Sequence, residues 1–177
     1  MEVDFTRDHA MYAVIFGIFS AVWFAIALEK PPKLWKKIIY AGIGTGLLLA
    51  IVGGVLMYFY HSAPSALGSD ETWRLFGNTV IVEFVACSIG VAVLNWRKKP
   101  EYIAAWIAFV VAAHFIPLVF VFQDLALYVL AGAGIVASII PLFYSKRLGV
   151  TVSTLTGVTM GTLLMLFAIR GVLLAVL

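Results

Sequence analysis

The stretch EYIAAWIAFVVAAHFIPLVFVFQD, residues 101–124, has an acidic residue at each end and no formal charge between them. An α-helix needs about 20 apolar residues to cross the hydrocarbon core of a bilayer, and residues 102–122 meet that length. The stretch therefore predicts a transmembrane helix whose interior carries one ionisable side chain, His114.

The rest of the chain has the same character. It is 63% hydrophobic and 12% charged, whereas a soluble domain carries roughly 25% charged residues. The alternating ten-residue strands typical of an outer-membrane barrel are absent from the sequence. We therefore predict an all-α integral membrane protein, with residues 1–177 forming a single six-helix transmembrane domain. The predicted helices are about 10–28, 38–60, 75–95, 102–122, 125–144 and 150–176.

The basic residues predict the orientation. Nine of the 12 Lys and Arg fall in alternate loops: Lys30, Lys33, Lys36, Lys37, Arg97, Lys98, Lys99, Lys146 and Arg147. The other side carries Arg7, Arg74 and Arg170 with Glu2, Asp4, Asp8, Asp70, Glu71 and Asp124. Because cytoplasmic loops are enriched in Lys and Arg, the odd-numbered loops should be inside and both termini outside. The cytoplasmic membrane of a bacterium is the expected location. The net charge of +3 follows from this placement and does not indicate nucleic-acid binding.

One carboxylate, Glu83, lies inside the apolar run VIVEFVACSI, residues 80–89. It follows Arg74 by nine residues, so it should lie roughly 14 Å below the outer interface. An ionised carboxylate there costs several kcal/mol unless it is paired or hydrated. We therefore predict that Glu83 faces the bundle and lies within hydrogen-bond reach of a polar group on another helix. His114, expected at a matching depth, is the candidate partner and could share a proton with it near neutral pH; Asn78, a threonine hydroxyl or trapped water are the alternatives.

Other polar side chains join this candidate ligand- or proton-binding site. Asn78 and Thr79 precede the acid on the same helix, and Ser20 and Thr159 should lie near the same depth on two other helices. Ser20 and Thr159 could instead bond to carbonyls of their own helices. Arg170 is expected either to extend toward the outer headgroups or to reach inward to an anionic ligand or to the acid.

The second predicted helix contains five glycines, the fifth contains AGAG at residues 131–134, and the sixth has a GxxxG spacing at Gly157 and Gly161. Small residues allow helices to approach closely in lipid, so these faces predict internal packing or a homodimer seam. The longest outer loop, HSAPSALGSDETWR, contains a predicted helix cap at Ser69 and could cover an outward-facing cavity.

For function, the sequence favours binding or transport of a small solute or ion over catalysis. The predicted site is a midplane cavity lined by helices one, three, four and six. The alternative is a non-catalytic accessory or immunity-type membrane subunit. A third hypothesis is an outward-facing metal-dependent hydrolase using His9, His61 and His114, although no paired ligand spacing such as HExxH is present. No motif calls for a cofactor, and the lone Cys87 excludes an intrachain disulfide.

Overall fold

The computed structural model describes residues 5–177, which form six long α-helices with short connections. Glu2 and Asp4, part of the predicted acidic side, lie outside these residues. Two 3-10 turns, Ala66–Gly68 and Pro100–Tyr102, precede the third and fourth helices. The helices are α1 (Thr6–Ile26), α2 (Lys33–Phe59), α3 (Asp70–Trp96), α4 (Ile103–Phe122), α5 (Ala126–Tyr144) and α6 (Val152–Val176).

All six helices are long and apolar enough to cross a membrane, which confirms the predicted all-α fold with six candidate spans. Three of them begin four or five residues earlier than hydropathy indicated, at Thr6, Lys33 and Asp70. Helix formation depends on backbone hydrogen bonds and caps, so polar residues extend the helices beyond their apolar parts. The predicted cap is present, because Ser69 Oγ accepts a hydrogen bond from the backbone N–H of Thr72 at 3.2 Å.

The helices are arranged around α1, α4 and α6. Helix α1 packs mainly against α2 and α6, while α4 packs against α3, α5 and α6. Helix α2 lies at one edge of this arrangement and contacts α1 and α6. Helix α3 lies at another edge and packs mainly against α4. The acidic helix is therefore the least enclosed of the six, and this position determines what its carboxylate can contact.

Glycines allow the close approach of α1 to its neighbours. A Cβ added at Gly17 of α1 would lie 2.7 Å from the carbonyl oxygen of Gly46 of α2, and Gly157 of α6 meets the α1 backbone at a similar distance. Internal packing, one of the two interpretations drawn from the sequence, is therefore correct for these positions. A Cβ added at Gly44 or Gly54 would meet nothing within 4 Å among the described residues outside its own stretch of helix backbone, and the homodimer stays a prediction.

The long loop between α2 and α3 is fastened to α1 by a buried carboxylate. Asp8, 3% exposed, accepts hydrogen bonds from Ser65 Oγ at 2.7 Å and from the backbone N–H of Ala66 at 2.6 Å. The Ser65 oxygen also caps the 3-10 turn that follows it. This contact anchors the connection that leads into α3.

Candidate ligand-binding site between α3 and α4

Glu83 and His114 face each other across the α3–α4 contact. Glu83 Oε2 lies 3.5 Å from His114 Nε2, and the two side chains are 19% and 14% exposed. The proximity predicted from their depths is thus present in the structure. Their role in binding stays a prediction.

The second ring nitrogen of His114 determines where protons can be. His114 Nδ1 lies 2.7 Å from the carbonyl oxygen of Val111, and a carbonyl can only accept, so Nδ1 carries a hydrogen. In the neutral ring, Nε2 is then an acceptor directed at Glu83. A hydrogen bond between the two side chains needs one further proton, held either by the carboxyl or by the imidazole. With that proton the pair is neutral overall, and without it the pair carries one negative charge.

This pair forms part of the wall of a pocket of about 510 Å³, a volume typical of small-molecule sites. Two of the polar residues assigned to the site from sequence, Asn78 and Thr79, also line it. The hydroxyl of Thr79 donates to the carbonyl of Leu75 in its own helix at 2.8 Å. The remaining lining is largely apolar and aromatic: Val82, Ala86, Trp106, Phe109, Val110, Ala113 and Pro117.

Trp106, which the sequence did not single out, closes one end of the pocket. Its indole lies against Gly90 of α3, where an added Cβ would collide with the ring. Its Nε1 donates to the carbonyl oxygen of Ala86 at 3.1 Å. The signal that could have identified it is a large residue and a glycine at similar predicted depths on adjacent helices.

Pro117 contributes a further acceptor near the pair. It lies inside α4 and has no N–H, so it cannot donate the usual helical hydrogen bond to the carbonyl of Ala113. Both residues line the pocket. The carbonyl of Ala113, one residue before His114, therefore lacks its usual helical donor.

The pocket opens sideways at the surface of the bundle. All of its lining residues belong to α3 or α4, and four of them are exposed: the polar Asn78, Val82 at 66%, Phe109 at 39% and Trp106 at 36%. This pocket does not involve α1 or α6, which the predicted midplane cavity included. Depth along a helix can be estimated from sequence, but the direction in which a residue points relative to distant helices cannot.

Ser20 and Thr159 belong to other contacts. Ser20 is fully buried, and its hydroxyl donates to the carbonyl of Gly161 at 2.8 Å, which joins α1 to α6. Thr159 Oγ1 lies 3.2 Å from the carbonyl of Ala137 on α5 and 3.0 Å from that of Leu155 in its own helix. Neither residue lines the α3–α4 pocket, so their assignment to one site with Glu83 is corrected.

Arg170 also lies elsewhere. Its NH1 and NH2 nitrogens donate to the two carboxylate oxygens of Asp124, at 2.7 and 3.0 Å, which joins α6 to the α4–α5 turn. The arginine therefore neither extends freely nor reaches Glu83. Sequence analysis missed this ion pair, although both residues were predicted on the same side of the chain.

The three-histidine metal site has no geometric support. Across residues 5–177, no three His, Cys, Asp or Glu side chains come close enough together to hold a metal ion. His61 Nδ1 instead bonds to the carbonyl of Tyr58 at the end of α2, at 2.9 Å.

In comparisons with known proteins, no family model, no curated protein and no solved structure matches this chain.

Proposed function

We propose that this chain is a multi-pass protein of a bacterial cytoplasmic membrane, with both termini outside, that binds or transports a small solute or ion. The ligand occupies the α3–α4 pocket, and Glu83 and His114 hold one exchangeable proton beside it. The contact of Glu83 with His114 inside a pocket of ligand size carries this proposal.

The energetics support a role for the acid beyond packing. An ionisable side chain at this depth is expensive, because the surrounding hydrocarbon solvates charge poorly. A glutamine could make a similar contact with His114 without that penalty. Keeping an acid opposite a base creates a group that can gain or lose a proton while the fold is unchanged, which is what a proton-responsive site requires.

Infrared spectroscopy of the protein in lipid nanodiscs tests the shared proton. The difference spectrum between acidic and alkaline pH should contain a carboxyl signal that disappears in Glu83→Gln and shifts in His114→Gln. The matched control is Glu71→Gln, an exposed acid in the first turn of the same helix. Identical difference spectra for wild type and Glu83→Gln would remove Glu83 from the mechanism and favour the accessory-subunit hypothesis, in which polar residues only hold the bundle together.

Cysteine labelling tests the orientation. In a Cys87→Ala background, single cysteines would replace the exposed residues Ser62, in the α2–α3 loop, and Lys99, after α3. A membrane-impermeant maleimide added to intact cells should label position 62 and leave position 99 unlabelled until the membrane is permeabilised. The reverse pattern would overturn the assignment of sides.

A further inference from the structure

We infer that the ligand of the α3–α4 pocket is a monovalent organic cation with an apolar body, which enters sideways from the lipid and replaces the proton held by Glu83 and His114. This inference rests on the proposed function and specifies the chemical class of its ligand. It combines three features of the pocket, namely its charge, its aromatic lining and its lateral opening.

The charge of the pocket favours a cation. Glu83 and His114 are the only Asp, Glu, His, Lys or Arg among its lining residues, so it offers an anion no fixed positive charge. Cys87 lies one turn from Glu83 on the same helix. Two 3-10 turns pack against α3, and neither contains a basic residue. The turn Pro100–Tyr102, near Trp96, contains the ionisable side chains Glu101 and Tyr102, and the turn Ala66–Gly68 contains none. The guanidinium of Arg170 is held by Asp124.

The exchange balances in charge. Before binding, the pair holds one shared proton and is neutral. When a monovalent cation enters, that proton leaves to the aqueous phase, Glu83 becomes a carboxylate and His114 keeps its Nδ1 hydrogen on Val111. The occupied pocket is again neutral, with one positive charge gained and one released. The low-dielectric surroundings therefore never need to hold an uncompensated charge.

The walls suit an apolar and polarisable body. Trp106 and Phe109 line the pocket with ring centroids 6.2 Å apart, and aromatic faces attract organic cations through their quadrupoles. Val82 and Val110 complete the apolar surface. Most of the lining is apolar, so an organic cation, which is more weakly hydrated than a small inorganic ion, loses less on entering the pocket.

The opening faces the region that lipid would occupy. Among residues 5–177, helix α3 packs mainly against α4, and no other long helix contacts α3 extensively. The exposed lining of this groove includes the apolar residues Val82 and Phe109, with one polar residue, Asn78. A ligand dissolved in the hydrocarbon layer can therefore reach Glu83 without crossing the centre of the bundle.

The test uses tetraphenylphosphonium as the probe and tetraphenylborate as an anion of matched shape, each added to nanodiscs with and without the protein. Equilibrium dialysis should show saturable, protein-dependent binding of the phosphonium only. A pH indicator in weak buffer should record about one proton released per cation bound. Where the pair is protonated, affinity should fall about tenfold for each unit by which pH is lowered, as exchange for one proton requires.

Variants separate this inference from general adsorption to the nanodisc. Glu83→Gln should lose proton release and weaken phosphonium binding at least tenfold, whereas Glu71→Gln should behave as wild type. Val82→Trp alters an exposed flank and should weaken binding by obstructing the opening, while leaving the infrared carboxyl signal of Glu83 intact. This second variant keeps the test valid if Glu83→Gln unfolds.

Three outcomes would overturn the inference: equal binding of the borate, binding without proton release, or binding unchanged in both Glu83→Gln and Val82→Trp. If the carboxyl signal of Glu83 is present and phosphonium does not bind, the cation class is wrong while the proton-sharing pair stands. If that signal is absent, the proposed function itself fails.

Discussion

The indole of Trp106 occupies the space above Gly90, where any larger residue would place a Cβ inside the ring. The same indole donates to the carbonyl of Ala86, so one side chain both fits into α3 and bonds to its backbone. Because α3 packs mainly against α4, this contact and the Glu83–His114 pair position the acid-bearing helix.

Gly90→Ala should therefore destabilise the protein. The added methyl group forces Trp106 away from Ala86, and overpacking of this kind costs about 1–3 kcal/mol. Unfolding by sodium dodecyl sulfate would measure the loss. The matched control is Gly77→Ala on the same helix, where the new Cβ meets nothing within 4 Å and better helix propensity should be neutral or mildly stabilising. Equal effects at both positions would show that the indole contact is unimportant.

Asp8→Asn should loosen the loop between α2 and α3. One oxygen of the buried carboxylate would become an amide nitrogen and could no longer accept from Ser65 or Ala66. Hydrogen bonds to a charged group contribute about 1.5–3 kcal/mol, so hydrogen exchange of backbone amides in residues 61–69 should accelerate markedly. Asp70→Asn, at an exposed position, is the control. Unchanged protection of the loop in Asp8→Asn would contradict this account.

The Arg170–Asp124 pair should show strong coupling between its partners. Asp124→Asn leaves the guanidinium without its carboxylate, and Arg170→Gln leaves a carboxylate that is 11% exposed without its cation. Each single change should cost on the order of 2 kcal/mol. The double variant should cost clearly less than the sum, because it leaves no unpaired charge. Additive losses would mean that the two residues act independently.

Ser20→Ala and Ser138→Ala compare a bond between helices with a bond within one. The hydroxyl of Ser20 joins α1 to Gly161 of α6, whereas that of Ser138 donates to the carbonyl of Ile135 in its own helix. Loss of the first should cost about 0.5–1.5 kcal/mol, and loss of the second close to zero. Detergent unfolding of the two variants in parallel would measure the difference, and equal stability would contradict it.

Several features of this fold can be predicted from the order of the residues along the chain. Hydropathy identified all six helices, and the helical rise placed Glu83 and His114 at matching depths, which is sufficient when the two helices are neighbours. Ser69 was identifiable as a cap because capping depends on local sequence. Each of these properties runs along the chain or along a helix axis.

The rotation of each helix about its own axis determines which neighbours its side chains face, and the order of the residues does not predict it. Ser20 and Thr159 lie on helices whose depth was estimated as for Glu83, yet they face different neighbours. Arg170 was assigned to headgroups or to Glu83 because nothing in the sequence states that the α4–α5 turn lies beside α6. That rotation is determined by packing against helices that are distant in sequence, which neither hydropathy nor the helical rise specifies.

The pairing of α1 with α6 has a consequence for how the molecule is made. Gly171 of α6 lies against the backbone of His9, and Gly157 against that of Ala27, so the two helices meet near both ends of α1. A ribosome completes α1 long before α6 exists. During synthesis α1 can pair with α2, and α3 with α4, but the centre of the bundle closes only when the last helix arrives. A nascent chain stalled after α5 could therefore form the α1–α2 and α3–α4 pairs but would lack the α1–α6 contact at the centre of the bundle.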